Sequence, residues 1–332
     1  MRTAGLILFI ILALTLYLFA CSPGKISNNT FRSAKQNSST GIAANHPDDF
    51  QISNDPSVIF SSSFENGFEG WTSFCDVCDI VNGDSLSTRS KVLRIIATKH
   101  LNTGGDVIFR LPKGEDEVYL RFYAWFPASN VTPHHFVKIL SYPVPYFGGQ
   151  AGKRPGVNKY FVLGIEPTRE NEWNFYNYWQ GMHSWQTYRG DPDSSRGPNA
   201  YYGNVFKAGN QQPFERDSWV CVEAHVKLND PGKSNGEMAL WVNGIKAGEW
   251  KQGEPVGTWR GEHFISSGPE NIHPVPFEGF NFRTVDSLKI NQVSLQWYVS
   301  QERANEGAAD KNIVYFDDIV LARKYIGPRV NR

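Results

Sequence analysis

The sequence predicts an all-β chain, a two-sheet antiparallel β-sandwich of the jelly-roll type. Three observations carry this. Apolar and polar residues alternate with period two over many short segments. Turn residues punctuate those segments, and no stretch sustains a long helical period. The third is size. The 332 residues are 40% hydrophobic and 14% aromatic, enough for a core, and sandwiches often use such a length as one domain. Lys plus Arg and Asp plus Glu are 33 each, so the net charge is zero. That balance gives no global attraction to nucleic acid, while leaving room for a local basic groove.

In chain order, the first stretch is an address. Arg2 precedes an apolar run from Ala4 to Phe19 that ends Leu18-Phe19-Ala20-Cys21. A charged start, a short apolar segment and a small residue before the cut describe an export signal over residues 1–20. Its end resembles the lipobox of bacterial lipoproteins, which implies lipidation at Cys21 and a place in the cell envelope. Phe19 departs from the usual small residue there. As a plain membrane anchor the run, at about 17 residues, is short of the roughly 20 that span a bilayer. The Ser-, Asn- and Gly-rich composition up to about Asp55 predicts a disordered tether over 21–55, with the folded domain over 56–330.

The domain opens with the strand at Val58 and a Gly-punctuated turn before Trp71. Cys75 and Cys78 stand in a Cys-x-x-Cys spacing without a second pair; in an exported chain this reads as a local disulfide or two thiols. Cys221 has no evident partner. SKVLRIIAT and DVIFRLP are further strands. The central block from Val118 to Gln180 organises the rest. Val118, Leu120, Phe122 and Ala124 alternate inward, with Tyr119, Arg121, Tyr123 and Trp125 outward. Phe161, Leu163 and Ile165 likewise face the core, with Tyr160 and Glu166 opposite. The outward residues of the block are rich in cations, histidine and aromatics and are expected to form one sugar-binding groove. The long loop from His183 to Gln212, carrying Trp185, Tyr188, Tyr201 and Tyr202, is expected to be a groove wall. Farther on, Asn243-Gly244 is a strong hairpin signal.

Three stretches taken together resemble a known family. They are Gly-Lys-Arg-Pro-Gly at 152–156, WVCVEAHVKLN with the later LWVNG, and the terminal FDDIVLARKYIGP. The combination is similar to secreted concanavalin A-like jelly-roll proteins related to polysaccharide lyase family 14, over roughly Val58 to Pro328. The resemblance implies a curved groove that binds an anionic polysaccharide and cleaves it by β-elimination. Arg154 stands where those lyases typically carry leucine.

Eliminative cleavage of a uronate needs its carboxylate neutralised, a base for the C5 proton and an acid for the leaving C4 oxygen. The catalytic candidates are Lys138, Tyr176, Tyr178, Arg121 and His134, with Lys138 or Arg121 as neutralising cation. Substrate-binding candidates are Tyr123, Tyr160, Glu166, Asn174, Glu223 and His225. Alternation puts His134 on the side of Lys138. A hydrolase would need two carboxylates flanking the bond, for which Glu166 and Glu223 are the available pair; the Glu-x-Asp-x-x-Glu strand of laminarinase-like hydrolases is absent. The same aromatic and polar groups also suit a surface lipoprotein that binds carbohydrate without cleaving it. No cofactor is required for the chemistry. Glu65 and Asp318, near the first and last strands, are candidate ligands of a structural calcium; one of Asp317 and Asp318 points inward and needs calcium or an arginine as its partner.

Overall fold

The computed structural model describes residues 40–83, 86, 91–142 and 150–330. All belong to the second of two compact units, 37–332. The signal segment, Cys21 and the first part of the expected tether lie outside the described residues.

Two sheets face one another. The first runs β13 (Ile245–Trp250), β12 (Glu237–Val242), β11 (Trp219–Lys227), β6 (Glu117–Trp125), β18 (Lys311–Ala322), β4 (Lys91–Thr98), β3 (Cys78–Asn82). Strand β1 (Val58–Ser62) takes over from β4 along the second half of β18. The second sheet runs β16 (Val275–Pro276), β14 (Val256–Arg260), β15 (His263–Ile265), β10 (Asn204–Lys207), β9 (Trp173–Tyr178), β8 (Phe161–Pro167), β7 (Val137–Ser141), β17 (Ile290–Tyr298), β5 (Gly104–Glu115), β2 (Ser73–Phe74). Every pairing is antiparallel except β10 with β15. This is the predicted all-β sandwich.

The inward alternation read from the sequence is the observed core. Leu120, Phe122, Val222, Ala224, Leu163 and Ile165 are fully buried between the sheets. An aromatic cluster carries the far end of the second sheet: Phe206 is fully buried, with ring centroids 5.1 Å from Phe280 and 5.5 Å from Trp259. Such contacts hold short strands that backbone pairing alone would leave marginal. The hairpin between β12 and β13 turns at Asn243 and Gly244, with φ of 50° and 78°, the left-handed pair that matches strand twist. Cys75 and Cys78 form a disulfide, and Cys221 is a buried free thiol.

Two expectations are corrected here. The expected tether does not run to Asp55: residues 42–54 form short 3-10 turns, and Ile42, Ala43 and Ile52 are buried. The short apolar set is enough because it lies on a pre-built sheet face rather than building a core of its own. The second correction concerns the groove. Strand β6 belongs to the first sheet and β7 to β9 to the second, so the outward faces of the central block are two separate surfaces.

Candidate functional site

The outward face of the first sheet is covered by the chain's own ends. Arg121 is completely buried and paired with Asp49, from the N-terminal turns. Its guanidinium also donates to the carbonyls of Gly327 (3.2 Å) and Asp318 (3.1 Å). Glu223 accepts from Ile326 N–H at 2.7 Å and Gly327 N–H at 2.8 Å, and the Tyr123 hydroxyl accepts from Arg329 N–H at 2.8 Å. Burial nonetheless pushes the Glu223 carboxyl up to about 7, against those donors and Arg121. His225 stacks on Tyr119 and bonds Glu117 at 2.8 Å. Arg121, Tyr123 and Glu223 therefore fasten the terminal segments and His225 is engaged by β6; none of them lines a groove with Lys138. Glu166 and Glu223 sit on different sheets and cannot flank one glycosidic bond.

The outward face of the second sheet is different. Register places Ser294, Lys138, Gly164, Tyr176, Val205 and His263 in one cross-strand row over β17, β7, β8, β9, β10 and β15. Cross-strand partners share a face. Lys138 and Tyr176 thus flank Gly164, with about 10 Å between their Cα atoms at two strand spacings. Gly164 matters because it has no side chain: a Cβ there would lie 3.0 Å from the Tyr176 carbonyl oxygen and 3.1 Å from Glu166 Oε1. The row sets a side-chain-free residue between a cation and a phenol.

Electrostatics fit that geometry. Burial lowers the Lys138 ammonium to about 8, opposed by Glu166 and Asp106. Asp106 is raised by burial and held down by the Ser294 hydroxyl, whose Oγ lies 3.1 Å from it, and by Lys138. Burial also raises Tyr176. The Tyr178 hydroxyl and Gly203 N–H, bonded to its oxygen, oppose that shift, while Tyr178, as the donor of the pair, is raised further. Gly203 must be glycine, since a Cβ would lie 2.3 Å from the Tyr176 ring.

The histidine set against Glu166 is the neighbour of the one the sequence singled out. His135, not His134, bonds Glu166 (Nδ1–Oε1 2.8 Å) and stacks on Tyr298, with its ring 5.4 Å from Tyr176. Strict alternation fails because Phe136 and Val137 are both fully buried, which shifts the face by one residue before β7 begins. His134 packs edge-on against Tyr298, its imidazole lowered by burial and by His135. Asn174 pairs with Glu166 across the strands and is buried, and its Oδ1 has no hydrogen-bond partner among the described residues. The same holds for Gln292 Nε2 and Gln296 Oε1 on β17, which the sequence reading missed. Buried polar atoms are normally paired, so such a set on one face suits a polar ligand. Tyr160 stands beside Tyr142, its hydroxyl pushed up to about 12 by burial.

The calcium candidates Glu65 and Asp318 line one pocket beside β1 and β18. The Asp318 carboxylate is met by Arg329 Nη1 at 3.0 Å, so an arginine is its counter-charge. Glu65 Oε1 takes Lys91 N–H, and its carbonyl takes Lys91 Nζ at 2.8 Å. Among the described residues no group of three or more His, Cys, Asp or Glu side chains is set to hold a metal. Calcium prefers six to eight oxygens.

Fold and site together define the class: an all-β sandwich with an open polar face, whose residues 169–253 match the family model Polysaccharide lyase 14. That segment holds Asn174, Tyr176, Tyr178 and the 183–212 loop, and the match agrees with the resemblance read from the sequence. Among solved structures, the chain is similar to the marine PL-14 alginate lyase from Aplysia kurodai, at 14% identity over 82% of this chain and 100% of that one, with a TM-score of 0.49. It is also similar to an endo-β-1,4-glucuronan lyase from the fungus Trichoderma reesei, at 11% identity over 80% and 95%, TM-score 0.45. A third is the alginate lyase vAL-1 from Chlorella virus, at 14% over 70% and 85%, TM-score 0.46. No curated protein matches the chain by sequence.

Proposed function

We propose that this protein is a polysaccharide lyase that cleaves a uronic-acid-containing glycan, of the alginate or glucuronan type, by β-elimination on the second sheet. The single observation that carries this is the Lys138–Gly164–Tyr176 row, a cation and a phenol on either side of a glycine. A uronate seated there has its C6 carboxylate against the Lys138 ammonium, which acidifies the C5 proton. The proton passes to a base at the Tyr176 oxygen, whose phenolate is disfavoured by burial and partly restored by the Tyr178 hydroxyl and Gly203 N–H. The C5–H electron pair becomes the C4=C5 bond, the C4–O bond breaks, and the leaving oxygen takes a proton from Tyr176 or from the His135–Glu166 pair. No water or oxidant is consumed. A hydrolytic reading through Glu166 and Glu223 has no support in this geometry.

The test is ultraviolet absorbance of the C4=C5 unsaturated uronate as the full chain meets alginate, glucuronan and other acidic glycans. A rise that is lost in Lys138→Ala and Tyr176→Phe supports elimination. Retention on a glycan column without product would make the protein a binding lipoprotein. We further propose anchoring through Cys21; lipid labelling that persists in Cys21→Ser would refute it.

A further inference from the structure

We propose that the far end of the second sheet holds a distal subsite for a uronate unit of the same polymer, formed by Trp185, Glu262, Arg196 and Arg260. The proposal rests on the lyase reading for the identity of the ligand, and on separate geometry for the site. The row of Lys138 and Tyr176 does not stop at His263: His263 pairs with Arg260 on β14, so Arg260 is three strand steps from Tyr176 on the same face. That is about 14 Å, a span for a polymer rather than a single sugar. Two cavities of about 480 and 470 Å³ follow this path. The nearer is lined by Tyr176, the farther by Arg196 and Arg260, and both share Trp185 and Glu262. They form one track that begins at the reactive tyrosine.

The wall of this track is built in advance. Gln186 is buried, and its side chain donates to Gly197 carbonyl (2.8 Å) while accepting from Asp193 N–H (2.7 Å). The Ser184 hydroxyl donates to Ala200 carbonyl, and Gly261 N–H donates to Tyr188 carbonyl at 3.0 Å, tying the loop to the turn between β14 and β15. The Trp185 indole is fixed through Nε1–H to Asn199 carbonyl at 2.7 Å. Fixed loops of this kind lose little entropy on binding.

The chemistry matches an acidic sugar. An indole face suits the apolar face of a pyranose, Glu262 accepts from hydroxyls, and an arginine fork suits a carboxylate. Arg260 is held over the Tyr188 ring (5.2 Å) and braced by Glu270 at 2.6 Å, which orients it and spends part of its charge. Arg196, exposed at the end of the Ser194–Arg196 turn, is the second cation. Of the acidic groups here, Asp193 is engaged by Ser195 N–H and hydroxyl, and Glu262 lies beside His263.

The experiment is calorimetric titration of the full chain, carrying Lys138→Ala to prevent turnover, with alginate and glucuronan oligosaccharides from dimer to octamer. Affinity is expected to step up with length. Adding Trp185→Ala or Arg196→Gln is expected to weaken the octamer about tenfold, the loss of one charge-assisted contact or platform, with the dimer shifted less than twofold. Arg196 is exposed, so its substitution leaves the core untouched. Equal losses for dimer and octamer, or none, would overturn the subsite. Unsaturated product from the unsubstituted chain is read in parallel. Product without the length-dependent loss overturns the subsite and leaves the lyase reading. The length-dependent loss without product overturns the lyase reading and leaves a sugar-binding track.

Discussion

A buried lysine keeps its proton at neutral pH only if acidic neighbours offset the loss of water, and Lys138 has Glu166 and Asp106. Its folded value of about 8 lies below the ordinary 10.5, so the ammonium is present at neutral pH and lost as pH rises through about 8. Tyr176 is raised above its ordinary 10 and ionises only after Lys138 has lost its proton, so kcat/KM of the free protein should rise with pH and level off near 8. Lys138→Arg cannot deprotonate, so any activity it retains should keep rising through that pH, whereas Lys138→Ala should lose about 10²–10³-fold at neutral pH. Tyr176 and Tyr178 separate by the direction of their shared hydrogen bond. Tyr176→Phe removes the group that meets substrate and should cost about 10²–10⁴-fold. Tyr178→Phe removes only a donor to it, so a loss nearer tenfold is expected, with the break near pH 8 unmoved. Equal losses in the two variants would contradict this division.

At the scale of elements, the site depends on which strands lack side chains and which carry bulges. Gly164→Ala places a methyl group between Lys138 and Tyr176, close to the Tyr176 carbonyl and Glu166. The paired strand must give way, so thermal unfolding should come earlier, and kcat/KM per folded molecule should fall by about 10²-fold because the Lys138–Tyr176 spacing is disturbed. On the first sheet, β18 slips register between Asp317 and Val320, and Asp318 takes a φ of 49°. This bulge points the Asp318 carbonyl at Arg121 and its carboxylate at Arg329. Removing that cation should unfasten the terminal segments: Arg121→Met leaves Asp49 buried without its partner, for about 3–5 kcal/mol in denaturant unfolding. The second-sheet groove should survive in whatever fraction remains folded.

For the molecule as a whole, residues 42–54 and 326–329 close over one sheet, leaving the other sheet's face for ligand. Glu223 is the pin at the centre of that closure, accepting two N–H groups from the C-terminal segment. Its folded value is raised to about 7 from 4.5, so its stabilising contribution is complete below about 4.5 and lost as pH rises through about 7. Gln cannot ionise, so the unsubstituted protein should lose stability relative to Glu223→Gln as pH rises from 4 to 8 in unfolding measurements. A gain relative to Glu223→Gln over that range would contradict the raised value. The chemistry on the opposite sheet follows Lys138, so the two pH dependences should be separable by substitution.

The linear sequence determined a good deal. Period-two alternation named the strands and their inward residues, because burial on one face selects apolar side chains wherever the backbone is extended. Asn243-Gly244 announced its hairpin, and Lys138, Tyr176, Tyr178, Glu166 and Asn174 were legible as outward polar groups. Alternation says only that a residue is outward, not from which sheet. That is why Arg121, Tyr123, Glu223 and His225 were grouped with Lys138 although they belong to the other layer. Only tertiary structure decided this, through the pairing of β6 with β11 and β18 and of β7 with β8 and β17. It also decided that residues 42–54 are ordered, because their few apolar side chains suffice once a sheet face receives them. His135 in place of His134 has the same origin: one irregular step at Phe136, driven by packing across the core, reverses every face assignment before it.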